Sequence, residues 1–219
     1  MKILVLNAGS SSQKSSLYDL PDDRLPSSPL IPVWEGFIDW THQQGVAEVK
    51  VKTAHGAEWQ EAIPFEDRPP VVARMLATLW SGATQVMNSP DEIQTVGHRV
   101  VHGGRKYHDS VVITPDVKQT IAQLAELAPV HNPANLEGIE AAEQILGNVP
   151  QVAVFDTAFH AAMPDAARIY PGTYDWIEKG ICRYGFHGTS HQYCAERAAV
   201  LLDRNLQDLK IITCHLGNG

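Results

Sequence analysis

Long apolar runs, cysteine and basic residues are all scarce in this chain. No apolar stretch approaches the roughly 18 residues that a membrane-spanning helix needs. The opening Met-Lys-Ile-Leu-Val-Leu-Asn is not a signal peptide, because its apolar stretch, Ile3 to Leu6, is too short. Cysteine occurs only as Cys182, Cys194 and Cys214, never in C-x-x-C spacing. That argues against a disulfide framework or a thiolate zinc site and fits a reducing cytoplasm. Lys and Arg number 17 against 25 Asp and Glu, a net charge of −8. Such a balance disfavours nucleic acid or an anionic membrane as the main partner, while leaving room for a local cationic pocket.

What remains is ordinary globular material. The 219 residues are 44% apolar and 19% charged, enough for a core in one large domain or two modest ones. There is no internal repeat and no low-complexity segment. The pattern predicts short strands at Ile3–Leu6, Ser15–Tyr18, Val33–Trp40 and Ala47–Val51, with a proline-bearing surface loop over 19–32. Helices follow. One starts at Pro69-Pro70, with Val72, Leu76 and Leu79 on one face. Thr114-Pro115 reads as an N-cap with proline at the first helical position, and Asn132-Pro133 as a second such start, its helix ending at Gly147. Apolar runs at Thr95–Val101, Gln151–Phe155 and Lys210–Cys214 suit buried strands between helices. The expected class is therefore α/β, with a boundary near Gly147–Pro150 giving domains 1–150 and 151–219. A last helix is expected from Thr189 or Ser190, with Cys194, Ala198 and Leu201 on one face. Cys194 and Cys214 are expected at core positions, as inert small hydrophobes. The sequence stops at Gly219 inside a Gly-Asn-Gly turn directly after an expected strand, so the chain reads as a fragment.

Four segments can carry chemistry, and each has a plainer alternative. Asn7-Ala8-Gly9-Ser10-Ser11-Ser12 follows a strand and can aim N–H groups and hydroxyls at phosphate oxygens, or be a solvated serine-rich turn. It is not a Walker loop, since it lacks the Gly-Lys-Ser/Thr ending. In Gly97-His98-Arg99-Val100-Val101-His102-Gly103-Gly104, Arg99 and Val101 point to one side of a strand. Arg99 can clamp a carboxylate or phosphate, with Val101 beside an apolar group, or form a structural ion pair. Asp156, at the end of a buried strand, can orient a metal-bound water or an arginine, or cap a turn. Tyr184-Gly185-Phe186-His187-Gly188-Thr189-Ser190-His191 contains H-x-x-x-H without the glutamate of a zinc protease, so a histidine aimed at a phosphoryl group is favoured over a metal ligand. His131 and His215 are similar candidates, each open to a structural reading.

Together these segments resemble the acetate kinase family, which includes acetate and propionate kinases. The carriers are L-N-A-G-S-S-S at 6–12, G-H-R-V-V-H-G-G at 97–104, H-N-P at 131–133, F-D-T-A-F-H at 155–160, Y-G-F-H-G-T-S-H at 184–191 and H-L-G-N-G at 215–219. The resemblance implies an actin/sugar-kinase/Hsp70-type (ribonuclease H-like) fold, with two α/β domains across a nucleotide cleft. Residues 151–219 would be the start of the second. It implies Mg²⁺ or Mn²⁺ as cofactor, ATP/ADP and acetate/acetyl phosphate as partners, a cytoplasmic location and a homodimer. By the same resemblance Arg99, Asp156 and His187 are catalytic, and Arg99, Val101 and Val130 bind the carboxylate substrate. Ser10, Ser12, Lys14, His131, His215, Gly217, Asn218 and Gly219 contact phosphate or nucleotide, and Asn7 approaches the metal. Position 130 is Val where many relatives have Leu, which alters pocket shape more than chemistry. The rival expectations are a propionate or butyrate kinase, a non-catalytic phosphate-binding module and a histidine–metal hydrolase.

Overall fold

The computed structural model describes residues 1–21 and 28–217; part of the expected 19–32 loop lies outside these. The chain divides into two compact units, Met1–Val100 with Val111–Ala153, and Val101–Ser110 with Val154–Gly219.

The first unit is built on a sheet of eight strands in the order β5-β4-β3-β2-β1-β6-β8-β7. They are β1 Lys2–Ala8, β2 Ser12–Asp19, β3 Trp34–Gln43, β4 Val46–Thr53, β5 Glu58–Pro64, β6 Ile93–Val100, β7 Val111–Val112 and β8 Gln151–Phe155, the last two residues of β8 falling in the second unit. β1 through β5 form an antiparallel meander, whereas β1 runs parallel to β6. Its helices are α1 Arg68–Ala77, α2 Pro115–Gln123 and α3 Asn132–Leu146. α1 and α3 pack on each other, α3 against β1 and β6, and α1 against β4.

Strand alternation decides what this packing buries. Leu4 and Leu6 of β1, Leu17 of β2, Trp34 and Ile38 of β3, and Val49 and Val51 of β4 turn inward to meet Met75, Leu76 and Ala142. Each large side chain so buried contributes about 1.5–3 kcal/mol. The indole N–H of Trp34 donates to Thr78 Oγ1 at 3.2 Å, so the buried ring leaves no polar atom stranded. Gly36 is required there, since a Cβ would come within 2.5 Å of the Trp34 ring.

Several sequence expectations need correction. β5 was not expected; its polar, exposed alternation hides an edge strand. Thr114 does cap α2, its hydroxyl accepting from Val117 N–H at 3.4 Å. Asn132 is not a cap: His131 holds that position, and the buried Asn132 amide donates to Ile121 C=O at 3.1 Å. A buried amide with a tertiary acceptor has no need of the helix end.

His98 gives the first unit a measurable pH dependence. Its ring lies on the buried side of β6 and its Nε2–H donates to Gln151 Oε1. Burial pushes its pKa down to about 4, the Gln151 bond opposing this. The unfolded chain takes a proton near the ordinary 6.5, the folded one only near 4. Across that window the unfolded state binds more protons, so stability falls as pH falls, by about 3 kcal/mol in total. Urea unfolding at pH 7 and at pH 4.5 reads this directly. His98→Gln should flatten the loss, whereas an unchanged loss would assign the titration elsewhere.

The second unit has little regular structure: α4 Asp165–Arg168, α5 Asp175–Glu178 and α6 Gly188–Leu201. Phe155 anchors it, stacked on Tyr107 with ring centroids 4.8 Å apart. The expected strand Lys210–Cys214 is irregular, and Ile212 is 92% exposed. Among the described residues it has no neighbouring strand, and an apolar run without a ladder partner does not make a strand. Cys194 and Cys214 are exposed, against the expected core placement, and Cys182 is the buried thiol. The expected apolar face of the last helix also fails, because α6 buries Gly188 and Ala199 and leaves Leu201 exposed.

Candidate active site

In the first unit the parallel pairing of β1 with β6 sets Leu6 beside His98. The next residue of each strand, Asn7 and Arg99, therefore lies on the sheet face opposite α3. Arg99 Nη1 donates to Asn7 Oδ1 at 3.1 Å. Across the β1–β2 ladder Asn7 pairs with Lys14, and Ser12, two residues before Lys14, shares that side of β2. The structure thus brings Asn7, Ser12, Lys14 and Arg99 to one sheet face: two cations, an amide and a hydroxyl. That set suits an anion. It lies at the C-terminal ends of two parallel strands, where α/β sheets commonly hold ligands.

The expected loop is shorter than its motif, since Asn7 and Ala8 belong to β1 and Ser12 to β2. Only residues 9–11 turn, closed by Gly9 N–H donating to Ser12 C=O at 2.9 Å. From the far side Arg68 donates to Gly9 C=O at 3.3 Å and to Ser10 C=O at 2.7 Å. Ser10, Arg68, Val130, Pro133 and Glu137 line one depression of about 570 Å³. Val130, 59% exposed, and Ser10 are therefore brought together. His131 is exposed at the start of α3. Arg68 was missed in the sequence. Following Glu66 and Asp67 at a helix start, it reads in sequence as an ordinary surface cation and gives no signal.

In the second unit the carboxylate of Asp156 is buried just past β8. The Asp156 carbonyl accepts from Gly188 N–H at 2.9 Å, and Thr157 Oγ1 from Gly103 N–H at 3.1 Å. A Cβ at Gly188 would lie 2.3 Å from that Asp156 oxygen, so only glycine fits. His187 precedes it in the left-handed region, φ 56°, a conformation that costs a non-glycine residue about 1 kcal/mol or more. Its ring stacks on His215 at 4.0 Å between centroids. His215 Nδ1 lies 3.1 Å from Ser190 Oγ, and His191 Nδ1 lies 2.7 Å from Thr213 Oγ1. His160 Nε2–H donates to Phe186 C=O at 3.2 Å. His187, His215 and Ser190 are thus gathered, with Asp156 fastened to the same helix start. His191 points into a structural contact with Thr213. Val101 lies just beyond β6 and belongs to this unit, as do His102 and Gly217. His102 is buried against Tyr184, and burial holds its pKa below the ordinary value. Asn218 and Gly219 lie outside the described residues.

Among the described residues no three His, Cys, Asp or Glu side chains are grouped to hold a metal ion. Taken each in its own unit, the amide oxygen of Asn7 and the carboxylate of Asp156 are hard donors of the kind Mg²⁺ accepts. Asn7 Oδ1 already accepts from Arg99, and an amide oxygen has a second lone pair. The donor chemistry fits a metal carried by phosphates. No described helix is long and apolar enough to cross a membrane.

The family model described as the acetokinase family matches residues 2–219. An acetate kinase of Cyanothece sp. is 66% identical over the whole chain, which covers 53% of that protein. One from Nostoc sp. is 62% identical, with 54% of it covered. Among solved structures, the acetate kinase of Porphyromonas gingivalis superposes with a TM-score of 0.81 at 37% identity, over 94% of this chain and 50% of that one. A propionate kinase from Francisella tularensis gives 0.79 at 35%, over 93% and 49%. The α/β fold is that of these kinases, of the actin/sugar-kinase type. The chain spans about half the length of the curated relatives it matches. Six ordered motifs, the shared fold and a family match over residues 2–219 lead to one assignment: this chain belongs to the acetokinase family.

Proposed function

We propose that the chain supplies the N-terminal portion of an ATP:acetate phosphotransferase, with domains at 1–150 and 151–219. The observation that carries this reading is the Arg99 guanidinium, held by Asn7 on the sheet face that also bears Lys14. The names of the relatives support the substrate class.

In the reaction, a carboxylate oxygen of acetate attacks the γ-phosphorus of ATP. The bond from that phosphorus to the bridging oxygen breaks, ADP leaves with the electron pair, and acetyl phosphate forms. Such a transfer needs alignment and charge neutralisation more than covalent help. Arg99 binds the carboxylate or the moving phosphoryl group, and Val101 and Val130 contact the methyl end. Ser10, Ser12 and Lys14 hold phosphate, while His131, His215, Gly217, Asn218 and Gly219 contact nucleotide. Asp156 orients a cation, and His187 donates to phosphoryl oxygens as their charge shifts. Bound Mg²⁺ or Mn²⁺ would neutralise phosphate charge. A cytoplasmic homodimer completes the proposal; nucleic acid and membrane are not expected partners.

Propionate is the second substrate to consider, because a propionate kinase shares the fold almost as closely. One methylene changes pocket affinity by only about 1–3 kcal/mol. The test is a chimera in which these residues replace the matching 53% of the Cyanothece acetate kinase. Trapping acyl phosphate with hydroxylamine should show acetate as the preferred acceptor over propionate and butyrate. A folded chimera that phosphorylates none of the three would overturn the reading. Preference for propionate would change the substrate alone.

A further inference from the structure

We infer that Arg68 is a positioning residue for phosphate capture, fixing which way the peptide groups of the 9–11 turn face. This rests on the phosphotransferase reading above. Arg68 Nη1 donates to Gly9 C=O at 3.3 Å and Nη2 to Ser10 C=O at 2.7 Å. A third carbonyl, that of Ser11, accepts from Trp40 N–H at 3.0 Å. The Trp40 ring also lies under the Arg68 guanidinium, 5.0 Å from its carbon to the ring centroid.

The consequence follows from peptide geometry. The chain has no cis peptide bonds among its described residues. In a trans peptide the C=O of one residue and the N–H of the next point in opposite directions. With the carbonyls of Gly9 and Ser10 drawn toward Arg68, the N–H groups of Ser10 and Ser11 are turned away from it. Successive N–H groups so aligned make an anion-binding concavity. Arg68 does not touch the anion in this scheme. Its planar fork takes two carbonyls at once, which a lysine ammonium cannot match in geometry. The guanidinium also balances the partial negative charge of those carbonyls, which would otherwise repel phosphate.

Two measurements test this. In ¹⁵N-labelled 219-residue chain, titration with Mg-ATP should move the amide signals of Ser10 and Ser11. In Arg68→Gln the same titration should need about tenfold more ligand, as expected for misaligned donors. In the chimera, Arg68→Ala should lower kcat/KM for ATP by about 10²-fold, with KM for acetate nearly unchanged. Added guanidinium should restore part of it, and Arg68→Lys should not. A purely structural role would move the melting temperature without the split between substrates or the rescue. Unmoved Ser10 and Ser11 signals in the unaltered chain, or equal ATP kinetics in all variants, would overturn the inference. If those signals move and Arg68→Gln needs more ligand as expected, but the unaltered chimera makes no acyl phosphate, the reaction assignment fails and the role of Arg68 in anion capture stands.

Discussion

Replacing Arg99 by alanine in the chimera should lower kcat/KM on the order of 10²–10³-fold, the scale for losing one preorganised charge stabiliser. The structure gives the reason this residue and not a neighbour carries the effect. Its backbone is fixed by the β1–β6 ladder, and its guanidinium is oriented by Asn7 Oδ1 at 3.1 Å. Asn7 is a neutral amide, so this contact orients the guanidinium without adding a counter-charge of its own. Arg99→Lys should not restore activity, since an ammonium cannot present two parallel donors to a carboxylate or phosphoryl group. Asn7→Ala should fall in the same direction by a smaller factor, because the cation remains but loses its hold. Steady-state kinetics with acetate and ATP, alongside thermal melting, decides. Near-normal kinetics in the lysine variant would make Arg99 a structural cation.

His187→Ala should lower kcat by at least about tenfold, a loss of ~1.4 kcal/mol or more in transition-state stabilisation. KM for ATP and acetate should shift much less, as expected of a donor that acts best on transition-state charge. The backbone at His187 is left-handed, φ 56°, and the chain can sustain it because Gly188 closes on Asp156 C=O. Strain of this kind at a polar side chain is found where the position of that side chain matters. His191, one turn into α6, instead meets Thr213 Oγ1 at 2.7 Å. Its replacement should lower the melting temperature and leave kcat largely intact. A well-folded His191→Ala without turnover, beside an active His187→Ala, would reverse the roles. Equal damage with rescue by zinc would point to metal ligation.

Much of this is legible in the sequence alone, and for identifiable reasons. Gln151–Phe155 is a strand with the expected limits because a short apolar run stands between turn signals on both sides. Thr114-Pro115 marked α2 because a hydroxyl cap and an N1 proline solve two local problems of a helix start. Asn132-Pro133 offered the same letters, but there a tertiary acceptor, Ile121 C=O, claimed the side chain. Local pattern cannot report a partner eleven residues away. The same limit explains Lys210–Cys214, where strand-like composition met no described neighbour, and Cys194, whose helix face stays uncovered. At the site, sequence named Asn7, Lys14 and Arg99 separately. Only the register of β1 with β2 and β6 puts them on one face. Arg68 was beyond reach, since its acceptors are main-chain carbonyls nearly sixty residues away, and carbonyls leave no trace in sequence.

The most direct test of the central claim is transfer of label from γ-³²P-ATP to acetate by the chimera, with the 219-residue chain assayed beside it. The account predicts acid-labile acetyl [³²P]phosphate from the chimera and no measurable product from the chain alone, whose relatives are about twice its length. Labelled product from the chain alone, at even a few per cent of the chimera's rate, would contradict the claim that it supplies only part of the machinery. A folded chimera yielding no labelled acetyl phosphate would contradict the claim that it supplies any.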